Sequence, residues 1–281
     1  MNGRFAGWIC TAVAGTMMAV APKPALAQAY TPPRTADGQP DLQGIWEVKT
    51  SPDKDIEKAK GLIVEPKNGK IPYLPAAVAQ RKQNEKNSAT EDPVNKCYMP
   101  GVPRINLLNY PFQIFQTPDQ ISIAYEYIHN FRNVYMKRTK HMEGIDFWLG
   151  DSVGHWEGDT LVVDVADLND QTWFDKSGNY HSDALHLTER FSPLSSDIIQ
   201  YDVTIEDPKV FTRPWRIAMP LYRRVEPNMQ LLEFRCNEFV EEFMYGNLRK
   251  QPLVKHWEGD TISIDITRKV PPGDRFYEWF R

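Results

Sequence analysis

The segment His155-Trp156-Glu157-Gly158-Asp159-Thr160-Leu161-Val162-Val163-Asp164-Val165 carries the clearest structural signal in the sequence. Gly158-Asp159 is a Gly-first two-residue turn, and glycine accepts the positive φ that a tight hairpin demands. After the turn, Leu161, Val163 and Val165 alternate with Thr160, Val162 and Asp164, so one face of the strand is set for burial and the other is more polar. The first six residues recur unchanged as His256-Trp257-Glu258-Gly259-Asp260-Thr261, and Ile262, Ile264 and Ile266 then repeat the alternation. Two distant copies are too few for a solenoid or a propeller. Turn chemistry accounts for the repeat without invoking function.

Similar short β-rich runs lie on both sides. Gly44 to Val48, Phe112 to Gln116, Ile121 to Tyr127, Phe131 to Arg138, Leu185 to Phe191, Ile198 to Ile205, Trp215 to Met219 and Leu231 to Arg235 are separated by Pro, Gly, Asn or Asp. Residues 28–43 and 51–70 read as extended or loop segments. Pro75 followed by Ala76 to Gln83 predicts a surface helix ending before Pro93, and Asn237 to Gly246 predicts a second, with an N-cap and a terminating glycine. Strands at this spacing with so few helices predict an all-β, antiparallel barrel or sandwich carrying one or two short helices. Residues 28–281 are expected to form a single β domain.

The first 27 residues are expected to be a signal peptide. Arg4 precedes an apolar run from Phe5 to Ala21, and Ala25-Leu26-Ala27 has the small-x-small pattern of a cleavage site. Pro22 and Pro24 follow the run at once without stop-transfer charges, which argues against a stable membrane anchor. The expected location is periplasmic or secreted. The full sequence has 33 basic and 37 acidic side chains, a net charge of -4. Removing residues 1–27 takes away Arg4 and Lys23 and no acid, leaving 31 basic against 37 acidic groups, or -6. No basic cluster of the kind that a nucleic-acid backbone or an anionic bilayer requires stands out. Export would leave Cys97 and Cys236 in an oxidising compartment, where one disulfide is the simplest reading and two buried thiols the alternative.

Three constellations bear on chemistry. Gly150-Asp151-Ser152-Val153-Gly154 has the letters of a serine-hydrolase elbow, but the strand-to-helix context that such an elbow needs is missing. No two histidines have the helical spacing of a zinc site, so no metal set is predicted, although a two-His-one-carboxylate site assembled from separate strands stays open. The densest polar run is His181 to Phe191. Within it Leu185, Leu187, Glu189 and Phe191 share one face, while His186, Thr188 and Arg190 share the other. A histidine can move a proton near neutral pH, an arginine can hold an anion, and a carboxyl on an apolar face is suited to acid–base work. Tyr98, Arg104, Tyr135, Trp173, Phe174 and Trp215 are candidates to line a pocket for a flat aromatic ligand. The bland reading of each is core packing or a solvated strand face.

Asp41-Leu42-Gln43-Gly44-Ile45-Trp46, Pro100-Gly101-Val102-Pro103-Arg104, Gly150 to Asp164, His181 to Phe191, Ile205-Glu206-Asp207-Pro208, Thr212-Arg213-Pro214-Trp215 and Glu233-Phe234-Arg235-Cys236-Asn237-Glu238 together resemble a large family of exported, mostly uncharacterised bacterial β-proteins. The resemblance covers most of residues 35 to 240 and implies that Cys97 and Cys236 pair. It extends to cofactor-independent lyases that act on lignin-derived phenylcoumaran dimers. That implies removal of carbon dioxide or formaldehyde from a phenolic aromatic dimer to leave a stilbene, with no cofactor because the substrate's ring is the electron sink. In such a reaction His181 or His186 would be the base, Glu189 the acid, and Arg190 or Arg104 the anion anchor, with Tyr98, Tyr135, Trp173 and Trp215 around the substrate. An exported lipocalin-like carrier of an aromatic molecule is the alternative, and Gly44-Ile45-Trp46 near the first strand fits it. The expected partner is a small aromatic substrate, not a nucleic acid or membrane, and homo-oligomer formation is left open.

Overall fold

The computed structural model describes residues 30–240 and residue 244. The signal peptide read in residues 1–27, the second hairpin copy at His256 to Thr261, the strand expected at Ile262 to Ile266 and most of the helix expected from Asn237 to Gly246 lie outside the described residues.

The fold is a closed nine-strand β-barrel with one additional strand. Its strands are β1 (Gly44–Glu47), β3 (Phe112–Gln116), β4 (Gln120–Tyr125), β5 (Phe131–Tyr135), β6 (Asp151–Glu157), β7 (Thr160–Ala166), β8 (His186–Ser195), β9 (Ile198–Glu206) and β10 (Trp215–Arg223), hydrogen-bonded in that order. The ring closes where Trp46 and Glu47 pair with Arg223 and Tyr222. The same edge of β10 carries β2 (Ile63–Glu65) at its other end. Closure matters because it removes the unpaired edge that an open sheet would present. The choice left open between sandwich and barrel falls to the barrel.

All pairs are antiparallel except β5 with β6, where Val134 and Tyr135 lie beside Ser152 and Val153. A parallel pair needs a crossover instead of a tight turn, and residues 136–150 supply it. Gly154 makes the close approach of these strands feasible: a Cβ there would sit 2.6 Å from a Val134 methyl. The β6–β7 hairpin forms as read, with Glu157 opposite Thr160 and Gly158 at φ +59°. Ser152 lies on β6 with strand pairing on both sides, so the elbow-like letters have no elbow.

Period-two alternation places the core. On β8 Leu187, Glu189 and Phe191 point inward, on β9 Ile199, Tyr201, Val203 and Ile205, and on β10 Trp215, Ile217, Met219 and Leu221. With Trp46, Phe112, Ile114, Ile121, Ile123, Leu161, Val163 and Val165, the apolar members of this set form one continuous cluster. Full burial of such a side chain stabilises by about 1.5–3 kcal/mol. Pro193 sits at a register shift in β8, where a residue without an N–H is tolerated.

Two helices join the strands: α1 (Pro75–Glu91), with proline at its first turn as predicted, and the short α2 (Arg104–Leu107), whose four residues are all buried. Residues 231–235, expected to be a strand, are irregular. They follow the protein surface instead of a ladder: the Leu232 N–H donates to Glu126, and Phe234 packs on Tyr110 and Tyr127. Cys236 is bonded to Cys97, which fixes this segment against the body of the molecule. No helix among the described residues is long and apolar enough to cross a membrane.

Candidate functional site

The residues singled out from the sequence occupy separate environments. His181 is buried in the connection before β8. Burial pulls its imidazole below the ordinary histidine range, so the ring is neutral and both nitrogens are in use. Nδ1–H donates to the Ser182 carbonyl at 2.9 Å, and Nε2 accepts from the Thr172 hydroxyl at 2.6 Å. His186 opens β8 on the outer face with Nε2 against Asp164. Arg190, also outward, pairs with Glu157 at 2.9 Å. Tyr98 is exposed beside Trp148. Tyr135 lies under the Arg138 guanidinium. Trp173 is buried, as is Trp215, which packs edge-on to Phe174 and Phe211. His181, His186 and Glu189 share no hydrogen-bond or ion-pair partner, so the structure does not gather them at one point.

Glu189 alone of the charged groups in the 181–191 run enters the barrel. It forms a two-pronged ion pair with Arg132 on β5, accepts the Tyr201 hydroxyl at 2.5 Å and lies 3.4 Å from Asn106 Nδ2 on α2. Asn106 also donates to Tyr201 and accepts from Tyr125, and Arg132 Nε donates to Ser152 at 3.0 Å. Burial pushes the Tyr201 phenol well up, and the Glu189 charge adds to that. Burial likewise raises Tyr125. Burial alone would weaken the Arg132 charge, but Glu189 outweighs it and holds the guanidinium more firmly protonated. Every functional group in this network points at another protein group.

A different arrangement occurs beside the barrel, where the backbone enters β3 and turns from β4 to β5. There a cleft of about 600 Å³ is lined by Asp53, Lys54, Asp92, Tyr110, Tyr127 and Lys176, with Phe234 and the Cys236 end of the disulfide forming a wall. Its size falls in the range of small-molecule sites, roughly 300–1,000 Å³. Tyr110, Tyr127 and Phe234 pack together with centroids 4.6–5.3 Å apart. Asp53 sits on the turn Pro52–Lys54 and is buried. Burial raises its carboxyl above the ordinary range, the Arg104 and Lys176 charges oppose that rise, and Asp92 reinforces it. Burial also pushes up the Tyr127 phenol.

Arg104, expected to anchor substrate, stands behind this cleft. It is buried and grips Asp92 through two 2.7 Å bonds. It therefore positions an acid of the cleft wall. Asp53, Tyr110, Tyr127 and Phe234 are not legible as site residues because they come from loops and from an irregular segment. The sequence signals near them are Arg104 and the motif from Glu233 to Glu238 that contains Phe234 and Cys236. No family model and no curated protein matches this sequence.

Proposed function

We propose that this protein is an exported lyase that removes a one-carbon unit from a phenolic, lignin-derived aromatic dimer, and that the ring-lined cleft beside the barrel is where it works. The observation that carries this reading is Asp53: a buried carboxyl with raised proton affinity on the wall of a cleft that also holds aromatic rings and two lysines. The disulfide and the apolar leader at residues 1–27 support export to the periplasm or beyond.

The chemistry uses the substrate's own ring. Loss of the phenolic proton lets the benzylic C–O bond break towards oxygen as a quinone methide forms, and the departing oxygen takes up a proton. The bond to the one-carbon unit then breaks. Its electron pair becomes the stilbene double bond and restores the aromatic phenolate, while carbon dioxide leaves a carboxylate or formaldehyde leaves a deprotonated hydroxymethyl group. Asp53 is suited to the proton transfer, and Lys54 and Lys176 to holding the phenolate or carboxylate. The base and acid roles first read for His181, His186 and Glu189 pass to this cleft.

Incubating the protein with phenolic dimers and following the fluorescence and mass of the products tests the reading. The expected result is a conjugated stilbene and loss of a one-carbon fragment, with turnover falling about 10²–10⁴-fold in Asp53→Asn. Full turnover in that variant would remove Asp53 from the mechanism. The aromatic lining of the same cleft supports a second reading, a carrier of an aromatic molecule. A carrier would quench tryptophan fluorescence and return the dimer unchanged.

A further inference from the structure

The outer face of the β6–β8 stretch gathers ligating groups that the proposed reaction does not use. Asp151 opens β6, Asp164 lies on β7, Asp167 follows its end, His186 opens β8, and His141 comes from the crossover between β5 and β6. One donor atom each from His141, Asp151 and Asp167 lie within 4.8 Å of one another. His141 Nδ1 is 3.2 Å from Asp151, its Nε2 is 3.4 Å from Asp164, and His186 reaches the same Asp164 from the other side.

Contacts within the protein leave one group of this cluster unanswered. Asp167 Oδ2 is a buried oxygen with no hydrogen-bond partner, whereas His141 Nε2 and Asp164 Oδ1 are met by ion-pair contacts with Asp164 and His186. A buried polar atom without a partner is costly, so a ligand or water beside Asp167 would relieve it. Positive charge is also short. Arg138 binds both oxygens of Asp151, at 2.8 and 2.6 Å, but it is a single cation against three carboxylates.

We propose that His141, Asp151 and Asp167, with Asp164 and His186 beside them, bind a divalent first-row transition ion such as zinc, which ties the β5–β6 crossover to the barrel wall. One imidazole among carboxylates is a donor set that such ions accept. At metal–ligand distances of roughly 2.0–2.2 Å a tetrahedral ion holds its donors about 3.3–3.6 Å apart, so donors spread over as much as 4.8 Å close in by about an ångström on binding, through rotation of the carboxylates and of the crossover that carries His141. Asp151 Oδ1 keeps a second lone pair beside its bond to Arg138, while Oδ2 already accepts from Arg138 and from the Met142 N–H. The rival arrangement is a protonated His141 bridging Asp151 and Asp164, which needs no ion.

Calorimetric titration of the chelator-treated full-length protein with zinc separates the two. The expected result is one saturable equivalent, with a rise in Tm of about 5–10 °C at roughly a hundredfold excess over Kd. His141→Gln and Asp167→Asn should each weaken binding at least about tenfold, while His155→Ala, on an exposed histidine of the same hairpin, should leave it unchanged. Far-UV circular dichroism checks that each variant is folded, and either cluster variant suffices. Absence of saturable binding by the wild-type protein overturns the proposal, as does zinc that binds the cluster variants and the wild type alike.

Discussion

Glu189 and Arg190 are neighbours on one strand, yet the barrel treats them in opposite ways. Glu189 turns inward to Arg132, and both side chains are almost completely withdrawn from water, at 0% and 1% exposure. Arg190 turns outward to Glu157, with 40% and 51% exposure. The inner pair lies in a medium that screens charge poorly, where each group depends on its partner. The outer pair has water as an alternative partner. Two contacts of the same chemical type, one residue apart, should therefore differ several-fold in what their loss does. The outer histidine–aspartate cluster adds a third condition, in which half-exposed and buried carboxylates share two histidines and one arginine.

The largest effect belongs to the inner pair. Glu189→Leu leaves the Arg132 guanidinium buried without a counter-charge and removes the acceptor of the Tyr201 hydroxyl. Urea unfolding should show a loss of about 3–5 kcal/mol. Adding Arg132→Met should recover much of it, because the buried charge then goes as well and an apolar pair replaces it. A loss under about 1 kcal/mol in the single variant would mean that water reaches the barrel interior and that the contrast between the faces is weaker than drawn.

Half of that network was legible in the sequence. Alternation along Leu187, Glu189 and Phe191 put the carboxyl on the apolar face, because a strand's side-chain period is two and the neighbours are large hydrophobes. Arg132 was not legible as its partner. It shares an inward face with Val134, but nothing local links β5 to β8, and only barrel closure brings them together. The barrel itself was mostly visible for the same reason, since strand runs and turn residues are local signals. Asp53 has no such signal. It lies in a charged stretch with Lys54, Asp55, Glu57 and Lys58, and its burial comes from loops packing around it. His141 was equally hidden, because its carboxylate neighbours sit 10, 23 and 26 residues away in sequence.

A smaller effect should come from His181, which lies behind the barrel wall and has no charged partner in hydrogen-bonding contact. Its folded pKa is lowered from 6.5, chiefly by burial. Between that lowered value and 6.5 the unfolded state binds the proton more readily than the folded one. Stability is then greatest above 6.5 and falls as pH drops through it. Denaturant midpoints for wild type and His181→Gln, measured at several pH values from 8 downward, should diverge at neutral pH and converge as the solution becomes acidic. Parallel curves would show that His181 titrates alike in the folded and unfolded states.

The smallest effect is expected one residue from the largest. Arg190→Ala removes the outer ion pair, but Glu157 keeps water on one side and His155 3.3 Å away on the other. Coulomb attraction at such a surface is offset by the entropy of holding two long side chains in one geometry. The change in unfolding free energy should stay within about 0.5 kcal/mol, and 0.5 M salt should shrink it further, because the Debye length there is only about 4–5 Å. The inner pair, shielded from ions by the barrel wall, should show almost no salt dependence. If Arg190→Ala instead costs as much as Glu189→Leu and resists salt, the outer face of β8 is covered by something that excludes water. The half-exposed environment of His186 and Asp164 on the same face would then need the same reassessment.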